Sequence, residues 1–503
     1  MKLAHLVYPN QLFEAASLPQ GTTHVFVIED PLFFGTDAQY PIMFHKQKLM
    51  LHRASMRRYV EEILWPAGYD VEYVEYHTLA DSGDVLQRMR GFDSVTVFDV
   101  TDDVLSRRLQ TASITIPEVP KLTILDSPNF YLKQSEIASY FAGSQTPTFG
   151  AFYQWQRERF NVLITDKYKP VGGSWLYDKE SRKRLPKEHQ LPTFEVFGSN
   201  NYVEEAQQYV QKHFAENPGQ VDSFCWPTNH QEATDWLQAF VNDRLDNYGL
   251  YKDAIDGQAP WLYHSAITPM LNCGLVSPQQ VVHAALDRHS KQPVEIQSLE
   301  AFIREILGWR EFVRALYLVK GVKLRTSNTF RHTRQLTQDW YFANTGLPPV
   351  DDAIKKANER AYVHHTDRLM VVGNAMFLSG IDPNDVYTWY MEMMIDAYDW
   401  MIVPFVYAIS QYADGGTVID KPNISSSHYI LQMSWYQKDV WCDVWDGLYW
   451  GFVDEYEDML LKNPHTKTIV QQLRHIDQDR RRIIGYRAQD FLNAKTHLPP
   501  TEE

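Results

Sequence analysis

Two adjacent histidines are the residues in this sequence best suited to move a proton. His364 and His365 lie in the segment YVHHTDRLMVVGN, and an imidazole has a pKa close enough to neutral to give a proton and take it back. Arg368 follows four residues after His364, so a helix here would place both on one face. A lone buried histidine is usually structural, whereas this pair favours a functional site.

A second segment has the residue types of an anion site. In HSAITPMLNCG, Ser265 and Thr268 offer hydroxyl groups, and Pro269 predicts the first turn of a helix. The free amides at the start of a helix attract negative charge. The alternative is a plain helix cap, since serine and threonine before proline commonly serve that purpose.

A third segment, FIREILGWREFVRALY, predicts an amphipathic helix with a dense group of charges. Glu305, Arg310 and Glu311 lie close together around Trp309. The alternative here is a packed tryptophan beside an exposed ion pair, which contributes little to stability.

The elements that must position these residues fall into two kinds. Short apolar runs alternate with helical stretches in the first part of the chain, which predicts βαβ units and a parallel sheet. A long helix is predicted from about Phe44 to Leu64. The predicted strands are Leu3–Val7, His24–Ile28, Val71–Val74, Val95–Phe98 and Leu122–Leu125.

The later part of the chain has helical periodicity almost throughout. We therefore expect an α/β domain with a Rossmann-like parallel sheet over residues 1–135, a connector over 136–228 and a large all-helical domain over 229–503. A helical domain of this size can enclose a cofactor between its helices. Helices are predicted at Glu300–Val319, Asp351–Val372, Pro383–Ala397 and His475–Phe491.

Composition and missing motifs exclude several classes of protein. No GxGxxG, P-loop, GxSxG, HExxH, EF-hand or kinase signature occurs, and the three cysteines are scattered, which argues against a disulfide framework or a thiolate metal site. A net charge of −15 argues against indiscriminate binding of nucleic acid. We read the basic run at residues 480–482 as a solvated helix face. We expect no signal peptide, no membrane span, a cytoplasmic location and a monomer.

Four segments, in the same order along the chain, resemble the cryptochrome and photolyase family. They are most similar to its bacterial iron–sulfur members, the prokaryotic (6-4) photolyases. HSAITPMLNCG resembles TSxLSPxLxxG, EILGWREF resembles ExxxWREF, and HHTDRLMVVGN resembles HHxxRLMxxGN. The fourth segment runs from Ile381 to Trp400 and continues to the ADGG turn at residues 413–416.

The resemblance implies that the helical domain binds one FAD. It implies that His364 and His365 face a DNA lesion, and that Trp389, Tyr390 and Tyr341 form an aromatic relay to the flavin. The alternative for these aromatic residues is that they fill a core. The residues implied at the flavin are Tyr251, His264, Ser265, Thr268, Glu305, Arg310, Arg368, Asn374, Asp396, Tyr398 and Ile402.

The sequence departs from the family at its cluster. The four cysteine ligands of the [4Fe–4S] cluster fall on Pro349, Gln437, Val440 and Cys442, and one thiolate cannot hold a cluster that needs four. We therefore expect no cluster. We hypothesise that aromatic packing replaces it, because three tryptophans crowd this region: Trp435, Trp441 and Trp445.

Three further positions bear on cofactors. Pro9 and Asn10 replace the Gly-Asp of the family's antenna turn, which speaks against a ribityllumazine antenna. Ile402 falls where relatives carry a polar residue near flavin N5, and it offers no hydrogen bond there. Asp178 resembles an acidic residue that, in relatives, lies near the DNA side and a divalent cation.

The resemblance predicts light-dependent repair of UV-damaged DNA. Excited FADH⁻ would donate an electron to a flipped pyrimidine photoproduct, most closely a (6-4) photoproduct. A cryptochrome-type photoreceptor without repair is the alternative, favoured by the acidic charge and by Ile402. A flavin-free binding protein is a third hypothesis, against which the retained flavin segments argue.

Overall fold

The amino-terminal part of the chain forms a five-stranded parallel sheet. The computed structural model describes residues 2–143, 148–177, 183–194, 196–197 and 199–499. The strand order is β3-β2-β1-β4-β5, and each neighbouring pair is parallel. The predicted strands are confirmed within one residue at their ends: β1 Leu3–Val7, β2 His24–Ile28, β3 Asp70–Val74, β4 Ser94–Phe98 and β5 Leu122–Leu125.

Helices cover this sheet and lead away from it. Strand residues such as Leu6, Val27 and Val97 are buried, as expected for a parallel sheet with both faces covered. The long helix predicted from Phe44 begins at Lys46 and continues beyond Arg58 as a π-helical stretch to Leu64. The helices of this part are α1 Pro31–Phe34, α2 Lys46–Arg58, α3 Asp103–Thr115, α4 Gln134–Ala142, α5 Phe149–Phe160 and α6 Asn201–His213.

Helices are the main regular structure of the rest of the described chain, so the predicted fold class is confirmed. One small antiparallel pair, β6 Gln335–Leu336 with β7 Thr496–His497, ties the end of the chain to this domain. The helices are α7 His230–Asp243, α8 Leu245–Tyr251, α9 Thr268–Cys273, α10 Pro278–Lys291, α11 Ile296–Ile303, α12 Glu311–Arg325, α13 Pro348–Arg360, α14 Asn374–Leu378, α15 Pro383–Met393, α16 Asp399–Val403, α17 Ser427–Met433, α18 Val440–Glu455, α19 Glu457–Lys462, α20 Lys467–Leu473 and α21 Gln478–Lys495.

The predicted helix Asp351–Val372 is wrong in one respect. It ends at Arg360, where Ala361 adopts a left-handed conformation with φ 54° and its amide bonds to the Ala357 carbonyl. Residues 362–364 are outside any helix, and the chain becomes helical again at His365. His364 lies directly before this second helical stretch, and its carbonyl accepts the first helical hydrogen bond, from the Arg368 amide.

The other predicted helices differ from the structure mainly at their ends. The predicted helix Glu300–Val319 spans the end of α11, a π-helical stretch at Arg304–Arg310 and most of α12. Gly308 lies in that stretch, where a Cβ atom would come within 2.9 Å of the Tyr153 ring. Among the described residues, no helix combines the length and apolarity needed to cross a membrane.

Candidate active site

A buried ion pair lies at the centre of the helical domain. Arg368 lies within the π-helical stretch Asp367–Gly373, and Asp396 lies in the turn between α15 and α16. The guanidinium reaches the two carboxylate oxygens at 3.0 and 3.1 Å, and the Thr268 hydroxyl donates to the carboxylate at 2.6 Å. Burial alone would lower the pKa of Arg368, but Asp396 outweighs it and raises that pKa.

One oxygen of this carboxylate is left without a hydrogen bond. Asp396 Oδ1 is buried, and its 3.0 Å approach to Arg368 lacks hydrogen-bond geometry. A buried acceptor of this kind normally has a partner. It can therefore accept an N–H group from a bound molecule.

Accessible side chains surround the ion pair. They come from four separate parts of the chain whose neighbouring residues are largely buried. We call the site formed by the ion pair and these accessible side chains the central recess. The accessible side chains are Ser265, Thr268, Glu305, His365, Met401 and Phe405.

The two adjacent histidines lie in different surroundings. His364 is fully buried and stacks on His264, with ring centroids 4.7 Å apart. Its Nε2 lies 3.4 Å from the Asp367 carboxylate, which in turn pairs with Lys356 at 2.5 Å. Burial holds the pKa of His364 well below its usual value, which favours the neutral ring.

His365 is the member of the pair that a ligand can reach. Its side chain is exposed at the recess, with its ring centroid 6.4 Å from that of Phe405. Partial enclosure by the surrounding protein, together with the cations Lys252 and Arg368, lowers the pKa of His365 to about 4. The nearby Asp253 opposes this shift.

Aromatic rings run from the recess towards the surface. Tyr390 donates to the Arg368 carbonyl at 2.5 Å, and its ring lies 5.2 Å from Phe405 and 5.1 Å from Trp389. The Trp389 indole donates at 3.0 Å to the carbonyl that joins Trp340 to Tyr341. Tyr341 is partly exposed. A ring contact thus joins Tyr390 to Trp389, and the Trp389 indole bonds to the backbone beside Tyr341.

The structure brings some of the predicted flavin residues to the recess. Thr268, Arg368 and Asp396 form its floor, and Ser265 and Glu305 border it. Buried His264 stands behind the recess against His364. Tyr251, at the end of α8, packs against the Tyr263 ring at 5.5 Å.

Other predicted residues point elsewhere. Arg310 donates to the Asn129 carbonyl at 2.7 Å and lies over the Phe130 ring, facing the α/β domain. The Asn374 amide bonds to Ser425, and Ile402 is buried. These positions follow from packing between segments that are distant in sequence, which a motif does not reveal.

Sequence reasoning missed Lys48, which lies where the two domains meet. It is 1% exposed and donates to the Ala397 carbonyl at 2.5 Å, above the rings of Phe44 and Tyr398. Burial lowers the pKa of Lys48 to about 7, an effect that Asp396 partly opposes. A lysine within a helix normally indicates a solvated face, so no sequence signal identified it.

The polar groups around the antenna turn are used by the protein itself. Asn10 donates to the Val100 carbonyl and Gln11 to the Phe98 carbonyl, both at 2.9 Å. The Tyr398 hydroxyl lies 2.9 Å from His52 Nε2, and all these side chains are buried. These buried side chains therefore satisfy one another and the backbone at this interdomain position.

The positions of the family's cluster ligands are likewise packed. Cys442 is buried in α18, and its pKa is raised by burial. Trp445 lies one turn further on and donates to the Ser425 carbonyl at 3.0 Å, with its ring 6.2 Å from that of Trp441. Within the described residues, no three His, Cys, Asp or Glu side chains are grouped to hold a metal. Asp178 lies outside the described residues.

Known proteins resemble this chain over most of its length. The family described as deoxyribodipyrimidine photo-lyase-related protein matches residues 5–226. A (6-4) photolyase of Agrobacterium fabrum is 30% identical over 467 residues, which cover 89% of this chain and 91% of the relative.

Solved structures agree with the fold. A bacterial class III photolyase from Agrobacterium tumefaciens superimposes with a TM-score of 0.55 at 16% identity, covering 96% of this chain and 92% of that one. A cryptochrome from Synechocystis superimposes with a TM-score of 0.57 at 14% identity, covering 91% and 93% of the two chains.

Proposed function

The chain belongs to the photolyase and cryptochrome family, and from that premise we propose that it is a flavoprotein that repairs (6-4) photoproducts in DNA under blue light. One structural observation supports the proposal in addition to the family membership. An exposed histidine, His365, stands at the mouth of a recess whose floor is the Arg368–Asp396 ion pair.

The residues of the recess fit an FAD. Asp396 Oδ1 is a buried acceptor without a hydrogen bond, and a flavin ring offers an N–H group to such an acceptor. Ser265 and Thr268, before and at the start of α9, are accessible hydroxyl donors suited to the phosphates. Arg368 pairs with Asp396 and holds its side chain in place.

When bound, reduced FAD supplies the light-driven electron for the lesion. The protein's own part is to admit the damaged base and to handle its proton. His365 cannot reach a base inside a stacked duplex, so the lesion must be flipped into the recess; a damaged pair costs less to unstack.

His365 then serves as the proton donor and acceptor. In the free protein its lowered pKa keeps the ring mostly neutral at pH 7. The phosphates of bound DNA are negative charges that favour the imidazolium and raise that pKa. Binding of the substrate thus favours the protonated form of His365, while buried His364 holds the segment in place by stacking on His264.

The proposal includes neither an antenna nor an iron–sulfur cluster. Buried side chains fill the interdomain position, and Cys442 supplies one thiol where a cluster needs four. An iron assay on purified protein is expected to find no stoichiometric iron. About four irons per chain would overturn this part of the proposal.

The experiment that tests the function is repair of an oligonucleotide carrying a (6-4) photoproduct, with and without blue light. Flavin content is measured by absorbance in the same sample, and a cyclobutane dimer serves as the second substrate. We expect light-dependent loss of the (6-4) lesion. If flavin-loaded, photoreducible protein leaves both lesions intact, the repair function is wrong and the photoreceptor alternative is favoured.

A further inference from the structure

Tyr341, the outermost ring of the aromatic path, has a carboxylate on its hydroxyl. The phenol donates to Glu392 Oε2 at 2.7 Å. Glu392 follows Trp389 by three residues on α15, so the two side chains share one helix face. Tyr341 therefore lies over the same face as the ring that precedes it in the path.

Neighbouring segments hold both partners in place. The Asn358 amide of α13 donates to the Tyr341 carbonyl at 2.7 Å. The His45 amide donates to the Glu392 carbonyl at 2.7 Å, and the Met43 amide approaches the other carboxylate oxygen at 3.4 Å. The contact is thus built from three separate elements and is more than a chance approach of two flexible side chains.

The buried neighbour Trp340 has no such carboxylate. Its indole donates at 2.8 Å to the backbone carbonyl of Lys495, and it is fully buried. A backbone carbonyl cannot accept a proton at ordinary pH, whereas a carboxylate can. Of the two adjacent rings, only Tyr341 is therefore equipped to lose an electron and a proton together.

Resting on the proposed function, we propose that Glu392 takes the phenolic proton of Tyr341 when Tyr341 reduces Trp389. The oxidant would be the photoexcited flavin of the proposed function, and loss of one electron would leave Trp389 as a radical cation. One electron then passes from Tyr341 to Trp389. The O–H bond of the phenol breaks and an O–H bond forms on Glu392, giving a neutral tyrosyl radical and a neutral carboxylic acid.

The physical reason is the acidity of an oxidised phenol. A tyrosine that loses an electron without losing its proton becomes a far stronger acid than tyrosine, and that state is costly beside buried groups. Burial also raises the pKa of Glu392, which makes its carboxylate a better acceptor. The hydrogen bond already formed places the carboxylate within reach of the phenolic proton.

The test compares wild type with Glu392→Gln by electron paramagnetic resonance on illuminated, flavin-loaded protein. Glutamine keeps the shape and the hydrogen bond but cannot take a proton. We expect wild type to give a neutral tyrosyl radical, and Glu392→Gln to lower its yield about tenfold or more while a tryptophan radical accumulates. Glu392→Asp should restore part of the yield.

Two controls separate the possible outcomes. Tyr341→Phe should abolish the tyrosyl signal, whereas Asp385→Asn should leave it; Asp385 is a carboxylate on the same helix that accepts from the Leu336 amide instead. An unchanged tyrosyl yield in Glu392→Gln would overturn the inference. Absence of bound flavin would instead overturn the proposed function, whereas flavin-loaded wild type that yields neither a tyrosyl nor a tryptophan radical would overturn the inference alone.

A flavin-free measurement tests the contact itself. Unfolding of wild type, Tyr341→Phe, Glu392→Gln and the double variant forms a double-mutant cycle. We expect a favourable coupling between the two side chains, and zero coupling would remove the contact on which the inference stands.

In D₂O, decay of the tryptophan radical in flavin-loaded protein should slow in wild type and stay unchanged in Glu392→Gln.

Discussion

The central recess and the interdomain position use polar side chains in opposite ways. At the recess, Asp396 keeps a buried oxygen free and His365 stays exposed. Between the domains, Asn10 and Gln11 are buried and bonded to backbone, and Lys48 is sealed between two rings. Polar groups that satisfy one another stabilise the fold, whereas polar groups left accessible or unpartnered can bind a ligand.

The largest effect is expected at the recess from His365→Ala. Repair should fall about 100-fold or more, since a positioned acid–base group contributes on that scale. Flavin content and the free energy of unfolding should stay close to wild type, because the side chain is exposed. Repair kinetics at saturating light, together with urea unfolding, measure both quantities.

His364→Asn is the matched comparison for that variant. It removes a fully buried ring that stacks on His264, so we expect a clear loss of stability. Equal losses of repair in both variants, with stability unchanged in both, would contradict the different roles assigned to the two histidines.

The second-largest effect on flavin binding and stability is expected from Asp396, at the floor of the recess. Asp396→Ala leaves the buried Arg368 guanidinium without its partner, which should destabilise the protein by about 3–5 kcal/mol and release the flavin. Urea unfolding and flavin absorbance check this. Asp458→Ala, at an exposed position, should change stability by less than about 0.5 kcal/mol. A flavin-loaded Asp396→Ala protein of normal stability would show that the pair is not the flavin site.

The fold was largely predictable because the relevant signals are local. Short apolar runs between helical stretches identified all five strands of the parallel sheet, and the four-segment resemblance located Thr268, Arg368 and Asp396. The break at Ala361 was not predictable, because a left-handed alanine has no sequence signature.

The sequence did not predict the positions of residues whose burial depends on contacts between distant segments. Nothing in the amino-acid pattern distinguishes buried Lys48 from a solvated lysine, since its burial is created by Tyr398, 350 positions later in the chain. Tyr398 was expected at the flavin, yet its hydroxyl bonds to His52. Such placements arise only once the two domains are packed together.

The third prediction concerns the interdomain position, where we expect a substitution to increase the free energy of unfolding. Lys48→Met should stabilise the protein at pH 7 by about 1–3 kcal/mol, because burying an ammonium is costly. Burial lowers the pKa of Lys48 to about 7, against 10.5 for an ordinary lysine. Below pH 7 both states carry the charge and the full cost is present.

Between pH 7 and 10.5 only the unfolded chain binds this proton, so wild-type stability rises with pH. The advantage of Lys48→Met should therefore shrink as the pH is raised, which urea unfolding at several pH values measures. Lys46→Met, at a partly exposed neighbour, should change stability by less than about 0.5 kcal/mol. A pH-independent difference would mean that Lys48 is not buried as a titrating group.

The smallest effect comes from Tyr398→Phe. This change removes the hydroxyl that lies 2.9 Å from His52 Nε2 and 3.6 Å from the Cys273 sulfur, so it should cost about 1 kcal/mol of stability. Neither wild type nor the variant should take up ribityllumazine, because the position is filled by Lys48 and the surrounding rings. The contrary result would be a ribityllumazine that wild type retains after gel filtration and Tyr398→Phe loses. The interdomain position would then bind a ligand, as the central recess is proposed to do, and its side chains would have to move apart to admit it.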